Sequence, residues 1–592
     1  MLRNVFLLNV LKKIENELPQ FVYKSIYKTT PISIILSLLE VMSLSLLLPV
    51  INLIFNKELL FKNYYLSIIY HKLNFTNEMS FILFLLFSVL CAFIIKNIAV
   101  YYISKYQTTT FFNIASSLVD YRYSAYMRMP YIKHIDSNSS ALLRNVAQIP
   151  FEFTIGVLVP LNAIISELII ISIIALSIFI YNAKLLLLLA VIIFPLVYFY
   201  NRFHKKTLEK ISTERDLECV KLYKEVSQSF EGIREYIVFD KTNFFKESIK
   251  KTANNFSLLG SQSYLISFFS PKIVELVAVF ALLTVYASGY ILNYPMSQIA
   301  SLLILYAIAL YRIIPSINRV LMSLNNIRVA NYTFDYLKDT IELEESSDDL
   351  VNNEPPLAFK SVLKIENLNY KYPGKEHLVL NNVNINIYKG QKIGIIGPSG
   401  SGKSTFLNIL LKLFVEDSGG IYVDDTLLTK DNVKSWYKLV GYVPQNIVIL
   451  DGTLLENIAF GLDVNFVDKE FLNTVIEKAQ LTEFLNNLPK GLDTQLGEKG
   501  LKISGGQKQR IGIARALFHK AQILIFDEAT SSLDYETEDL LTESINSISE
   551  KNLTIIIVAH RLQTLKYCDL VFQLKNGILN SKGVKYEEII KY

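Results

Sequence analysis

The chain has 592 residues, of which 51% are hydrophobic, with a net charge of +5 and a mean hydropathy of +0.32. That apolar load excludes an ordinary soluble protein and points to a membrane partner rather than nucleic acid, and the charge is small for this length. Cys91, Cys219 and Cys568 are scattered and odd in number, show no disulfide framework or metal spacing, and read as isolated reduced thiols.

Residues 1–30 mix Val5, Phe6, Leu7, Val10 and Leu11 with Lys12, Lys13, Lys24 and Lys28. No small-residue cleavage site follows an apolar core, so this is not a secretory signal. The pattern predicts an amphipathic segment lying on the inner membrane surface. A transmembrane domain is expected over 31–328. Its six helices fall at about 31–55, 80–103, 151–175, 184–201, 264–288 and 298–320, each near the ~20 residues that span hydrocarbon. Between the third span and the fourth the apolar sequence is interrupted only by Tyr181, Asn182 and Ala183. Lys and Arg concentrate between spans two and three (Lys105, Arg122, Arg128, Lys133, Arg144) and between spans four and five (Arg202, Lys205, Lys206, Lys210, Arg215). These connections are therefore expected in the cytoplasm, extending the spans inward as stalks, with both termini on the same side. Residues 57–75 carry Leu59, Leu60, Tyr64, Ile68 and Ile69 at helical spacing, which fits an outer amphipathic helix or a polar loop.

Charges inside spans are expensive and point to function. They are Glu40, Lys96, Glu167, Lys272, Glu275, Arg312 and Arg319. Lys272 and Glu275 are three apart and can pair on one helix. Arg312 and Arg319 are seven apart and share one face of the last span. They suit phosphate, whose geometry guanidinium matches; the alternatives are pairing with Glu40 and Glu167, or Arg319 reaching the interface.

Residues 329–360 read as a linker, including the acidic, Pro-containing stretch Glu342–Pro356, and 361–592 as an α/β domain. The apolar run Ile393–Ile396 precedes Gly397-Pro398-Ser399-Gly400-Ser401-Gly402-Lys403-Ser404-Thr405. A strand, a glycine-rich turn and a helix in that order cradle nucleotide phosphates on backbone N–H groups. Lys403 then reaches the outer phosphates, and Ser404 can ligate Mg²⁺. Tyr372 lies 31 residues earlier, where its ring can stack on adenine. Gln445 follows Gly441-Tyr442-Val443-Pro444. Ser504-Gly505-Gly506-Gln507 opens a helix. The apolar strand Ile523–Phe526 ends in Asp527 and Glu528, Ser531-Ser532-Leu533-Asp534 follows, and Ile555–Ala559 runs into His560.

This ordered set resembles the nucleotide-binding domain of ABC transporters over essentially all of 360–592. With six spans ahead of it, the chain resembles the exporter-type half-transporters: a multidomain membrane protein, an all-α six-helix transmembrane domain followed by an α/β P-loop ABC ATPase domain. The resemblance implies ATP and Mg²⁺ as cofactors. Ser404, Gln445 and Asp527 would hold the metal, directly or through water. Glu528 would be general base, and His560 would contact the γ-phosphate. Phosphoryl transfer to water needs mainly this positioning and charge neutralisation. Ser504, Gly505, Gly506 and Gln507 would close on ATP held by a second subunit, which implies a homodimer with two composite sites. Ile503 stands where the family usually has Leu. Gly497-Glu498-Lys499-Gly500 resembles the exporter segment that touches cytoplasmic loops, and turns near Tyr131–Asn138 and Glu231–Asp240 would dock on the ATPases.

Leu310-Tyr311-Arg312-Ile313-Ile314-Pro315-Ser316-Ile317-Asn318-Arg319 resembles the matching segment of bacterial lipid-linked oligosaccharide flippases. Glu40, Lys96, Glu167 and Glu275 fall where those proteins carry charge, although Lys96 and Lys272 stand where Arg is expected. The implied cargo is a polyprenyl-pyrophosphate-linked oligosaccharide crossing the bacterial inner membrane, with the pyrophosphate on Arg312, Arg319 and Lys272. The rivals are an exporter of a peptide, bacteriocin or drug, and an ATP-gated channel or sensor that transports nothing.

Overall fold

The computed structural model describes residues 6–46, 68, 70–73, 75, 77–181, 183–291, 295–345, 357–497, 503–528, 545–546, 552–580 and 582–589. The chain forms two compact units, one of Met1–Met129 with Asp136–Asp348, the other of Pro130–Ile135 with Asp349–Tyr592. A short piece of the first connection, expected to dock on an ATPase, thus belongs with the second unit. The turn near Glu231–Asp240 stays in the first.

The first unit is helical. It contains α1 (Phe6–Glu17), α2 (Gln20–Ser45), α3 (Glu78–Arg128), α5 (Ser139–Ala147) and α6 (Ile149–Phe153). A π-helical turn (Thr154–Leu158) leads into α7 (Val159–Tyr181). Then come α8 (Ala183–Glu231), α9 (Ile233–Val238), α10 (Thr242–Ile291), α11 (Met296–Val329) and α12 (Tyr332–Glu345); α4 (Tyr131–Asp136) intervenes in sequence. Asn77 caps α3 by accepting a hydrogen bond from the Met79 N–H. Pro31, Pro195, Pro271 and Pro315 sit inside long helices, as bundled apolar helices tolerate. Among the described residues, Glu78–Arg128, Ile149–Ile180 and Thr242–Ile291 are long and apolar enough to cross a membrane. The spans expected at 184–201 and 298–320 fall on α8 and α11; the span expected at 31–55 falls on α2 as far as Ser45, and its residues 47–55 lie outside the described residues. Most of the expected outer segment 57–75 also lies outside the described residues.

Two expectations change. The apolar face of α1 has a protein partner that the sequence did not name: Val10 and Ile14 are buried in a cluster with Phe334 and Leu337, and Lys13 Nζ lies 5.2 Å from the Phe334 ring centroid. Amphipathicity demands a one-sided apolar partner and does not name it. The first half of the expected linker is helix α12, held by aromatic and polar anchors. Tyr332 Oη donates to Glu152 Oε2 at 2.6 Å and Tyr336 Oη to Asp216 Oδ2 at 3.0 Å. Arg144, 2% exposed, also meets Asp216 at 2.6 Å.

The second unit has two sheets. One is antiparallel, in the order β2 (Leu380–Tyr388), β1 (Val362–Tyr370), β4 (Ser418–Val423), β5 (Thr426–Leu427). The other runs β10 (Ile578–Leu579), β9 (Leu570–Lys575), β3 (Lys392–Ile396), β8 (Thr554–Ala559), β7 (Ile523–Asp527), β6 (Val440–Val443). From β9 to β6 its pairs are parallel. β3, β7 and β8 carry the runs Ile-Gly-Ile-Ile, Ile-Leu-Ile-Phe and Ile-Ile-Ile-Val-Ala and are buried along most of their length, the pattern of strands covered on both faces. Their register sets Ile396 beside Ala559, and Asp527 beside Val558. The segments leaving β3, β8, β7 and β6 therefore emerge at one edge, the carboxyl ends where parallel α/β sheets bind ligands.

Candidate functional site

That edge gathers most of the predicted residues. After β3 the chain turns through 397–402 into helix α13 (Lys403–Leu410). Gly402 sits at φ +102°, which a side chain resists, and a Cβ on Gly397 would fall 2.2 Å from the Leu574 carbonyl oxygen. Lys403 Nζ donates to the carbonyls of Gly397 at 2.8 Å and Pro398 at 3.1 Å, so it bends over the turn. Burial lowers its pKa, against the pull of Glu528 and Asp527. Ser404 is exposed on the first turn, whereas Thr405 is buried and its hydroxyl lies 3.1 Å from Tyr372 Oη. The Ser401 N–H closes the turn on the Pro398 carbonyl at 3.2 Å. Gly400 and Ser399 form its exposed crest.

Glu528, just past β7, has φ +45°, an unfavourable conformation for a residue with a side chain. Its N–H donates to Val558 O at 2.9 Å. Its carboxylate meets His560 Nε2 at 2.7 Å and accepts from Gln445 Nε2 at 3.1 Å. Three residues far apart in sequence thus form one polar group. Burial raises the pKa of Asp527, and Glu528 adds to the rise. Tyr442 Oη donates to Asp527 Oδ2 at 3.3 Å. Tyr442 was singled out only as part of the run before Gln445; nothing in the sequence signals this contact.

Ser504 caps helix α18 (Gly505–Phe518). Its hydroxyl accepts from the Gln507 N–H at 3.2 Å while Gln507 Oε1 accepts from the Ser504 N–H at 2.9 Å. Ser504 and Gly505 are exposed and Gly506 is buried, so the helix start is open to a partner molecule. Glu498–Gly500 and Ser531–Asp534 lie outside the described residues.

The helical unit pairs its internal charges. Arg312 Nη2 meets Glu40 Oε2 at 2.6 Å, Arg319 Nε meets Glu167 Oε1, and Lys272 pairs with Glu275 at 3.2 Å on its own helix. Lys96 lies 5.4 Å from the Phe93 ring centroid. Arg312 and Arg319 therefore share a face, each opposite a carboxylate. Arg312 Nε and Glu167 Oε2 are buried with no protein hydrogen-bond partner.

The profile of the ABC transporter family matches residues 380–531. The chain is 31% identical over 411 residues to an ATP-dependent lipid A-core flippase of Photorhabdus laumondii subsp. laumondii, covering 68% of this chain and 69% of the relative. It is also 31% identical over 414 residues to the uncharacterized ABC transporter ATP-binding protein YwjA of Bacillus subtilis, covering 69% and 70%. A bacterial Atm1-family ABC exporter solved with ATP bound superimposes with a TM-score of 0.76 over 95% of this chain and 96% of that one, at 19% identity.

Proposed function

This chain belongs to the ABC transporter family, as an exporter-type half-transporter that couples ATP hydrolysis to transport, and we propose that its cargo is a polyprenyl-pyrophosphate-linked oligosaccharide. The observation that carries the cargo reading is the pair of arginines on α11. Each is held against a carboxylate in an apolar helical unit, and one buried guanidinium N–H lacks a protein partner. A pyrophosphate can displace Glu40 and Glu167, because bidentate charge-assisted hydrogen bonds to guanidinium are strong and geometrically matched. The polyprenyl tail would stay in lipid. Lys272, pinned to Glu275, is the weaker contributor.

The chemistry follows from the second unit. Lys403 would leave its own turn for the outer phosphates, a short swing from the Gly397 and Pro398 carbonyls. The turn's N–H groups and the start of α13 add positive potential. Ser404, Gln445 and Asp527 offer oxygen donors alone, which suits Mg²⁺, and the opposed ionisation of Asp527 favours a cation beside it. A Mg²⁺ ion held by these residues would supply charge neutralisation for the phosphates. Glu528 would take the proton of the attacking water, oriented by His560 and Gln445. A homodimer is part of this reading, with the exposed Ser504–Gly505 end of α18 meeting ATP on the second subunit. So are six spans, a bacterial inner-membrane location and a cytoplasmic ATPase.

A second reading, a glycolipid of the lipid A-core kind, is favoured by the similarity to the Photorhabdus ATP-dependent lipid A-core flippase. Proteoliposomes decide between them. ATP-dependent flipping of a fluorescent polyprenyl-pyrophosphate oligosaccharide is expected, lost in Glu528→Gln and in Arg312→Ala with Arg319→Ala. Flipping of a lipid A-core probe alone selects the second reading. Hydrolysis without flipping of either selects a peptide or drug exporter, and full flipping by the double arginine variant removes the arginines from the cargo site.

A further inference from the structure

The segment Pro130–Ile135 comes from the membrane half of the sequence yet belongs to the ATPase unit. Tyr131 is its outward aromatic, 42% exposed, and its ring centroid lies 6.2 Å from that of Phe414. Phe414 is buried and stacks on Tyr370 at 5.6 Å, with the ring planes 10° apart. It also meets Tyr372 edge-on at 5.8 Å, and Tyr370 meets Tyr372 edge-on at 5.4 Å. Four rings therefore run without a gap from the turn to Tyr372, the aromatic expected under adenine. Beside them opens a cavity of about 540 Å³ lined by Pro130, Ile132, Tyr370, Tyr372 and Phe414 among others. Its wall is shared by the turn and the base-binding aromatic.

The opposite end of the Tyr372 ring is also fixed, by the contact between its hydroxyl and Thr405 Oγ1 at 3.1 Å. Tyr372 is thus clamped between the phosphate-binding helix and the ring cluster. Aromatic pairs in such geometries resist sliding, because their energy depends on offset and tilt. A shift of the turn should therefore reach Tyr372 as a change of ring position.

We propose that Tyr131 is a positioning residue for the nucleotide base, acting through Phe414 on Tyr372. Tyr131 touches neither the phosphate-binding turn nor the carboxylates in any contact described above. Its effect should fall on binding of the base and leave the hydrolytic step alone.

The test uses the full-length protein in lipid nanodiscs. Tyr131→Ala should raise the KM for ATP about two- to tenfold, the range set by loss of one aromatic pair, with kcat at saturating ATP unchanged. Inorganic tripolyphosphate fills a phosphate cradle without a base, so its inhibition constant should stay at the unsubstituted value. Tyr131→Phe, which keeps the ring, should restore the KM. Phe414→Leu should reproduce the KM effect from the middle of the chain of rings. An unchanged KM in Tyr131→Ala overturns the proposal. So does an equal rise for ATP and tripolyphosphate, which would mark a general loosening of the domain. The readout involves no cargo, so it stands or falls separately from the flippase reading.

Discussion

The nucleotide site and the paired arginines of the helical unit treat charge in opposite ways. At the carboxyl edge of the parallel sheet, Asp527 and Glu528 are neighbours in sequence, and burial, with Glu528 adding to it, makes Asp527 harder to ionise. Lys403 leans on backbone carbonyls rather than on either carboxylate, and Glu528 is held in a left-handed conformation. In the helical unit each arginine already faces a carboxylate brought from another helix, so charge is cancelled in pairs. One region carries unfavourable terms that a nucleotide and a cation can relieve; the other closes on itself and, on the proposed function, would be opened by its ligand. On that proposal, strain and uncompensated charge mark the site of chemistry, while closed pairs mark the part that would change partner.

The sharpest way to break this contrast is Glu528→Gln. It keeps the hydrogen-bonding shape and removes the base, so kcat should fall about 100- to 10,000-fold while ATP still binds. Single-turnover hydrolysis beside equilibrium nucleotide binding measures both. A loss below about tenfold would show that Glu528 is a structural partner of His560 and that chemistry uses another base.

The arginine pairs sharpen the other side. Arg312→Leu takes away the guanidinium that Glu40 meets and should destabilise the protein by about 3 kcal/mol, since one partner of a buried pair is lost. Arg312→Leu combined with Glu40→Leu removes both charges and should recover most of that loss. Denaturation in detergent micelles reads the difference. A double variant as unstable as the single one would mean that the pair is not a closed unit.

What the sequence could reveal divides along the same line. The phosphate turn, the Asp527–Glu528 strand end and the cap at Ser504 are local devices, complete within a few consecutive residues, so their positions were legible before any fold was known. The meeting of Glu528 with Gln445 and His560 required only that parallel strands end at one edge, which the apolar runs implied. The arginines were visible as charges in apolar surroundings, but the partner of Arg312 lies 272 residues away, and no local pattern selects Glu40 from the other intramembrane acids. The same limit explains α1: its apolar stripe was legible, while the covering surface, Phe334 and Leu337, belongs to a helix more than half the chain away. It also explains α12, whose acidic tail reads as linker although Tyr332 and Tyr336, one turn apart, are anchors into a buried polar network. The four rings around Tyr372 are drawn from three separate stretches, and only Tyr372 carried a sequence signal.

The smallest expected effect is the most direct measure of the contrast. Burial, first, and the neighbouring Glu528 raise the pKa of Asp527. A carboxyl whose folded pKa lies above its unfolded value binds more protons when folded. Its contribution is therefore most favourable at low pH, declines as pH rises from the ordinary carboxylate range through the raised value, and opposes folding above it. At neutral pH without nucleotide or Mg²⁺, Asp527→Asn should raise the melting temperature by up to a few degrees while abolishing hydrolysis. The gain should shrink as pH falls into the carboxylate range, because protonated Asp527 and Asn carry the same charge. Saturating Mg²⁺ with ATP should reverse the order, since the ligands then stabilise only the protein that keeps the carboxylate. A variant less stable than the parent at every pH, with no dependence on Mg²⁺, would show that Asp527 is held by the fold and that the sheet edge is no more strained than the paired arginines.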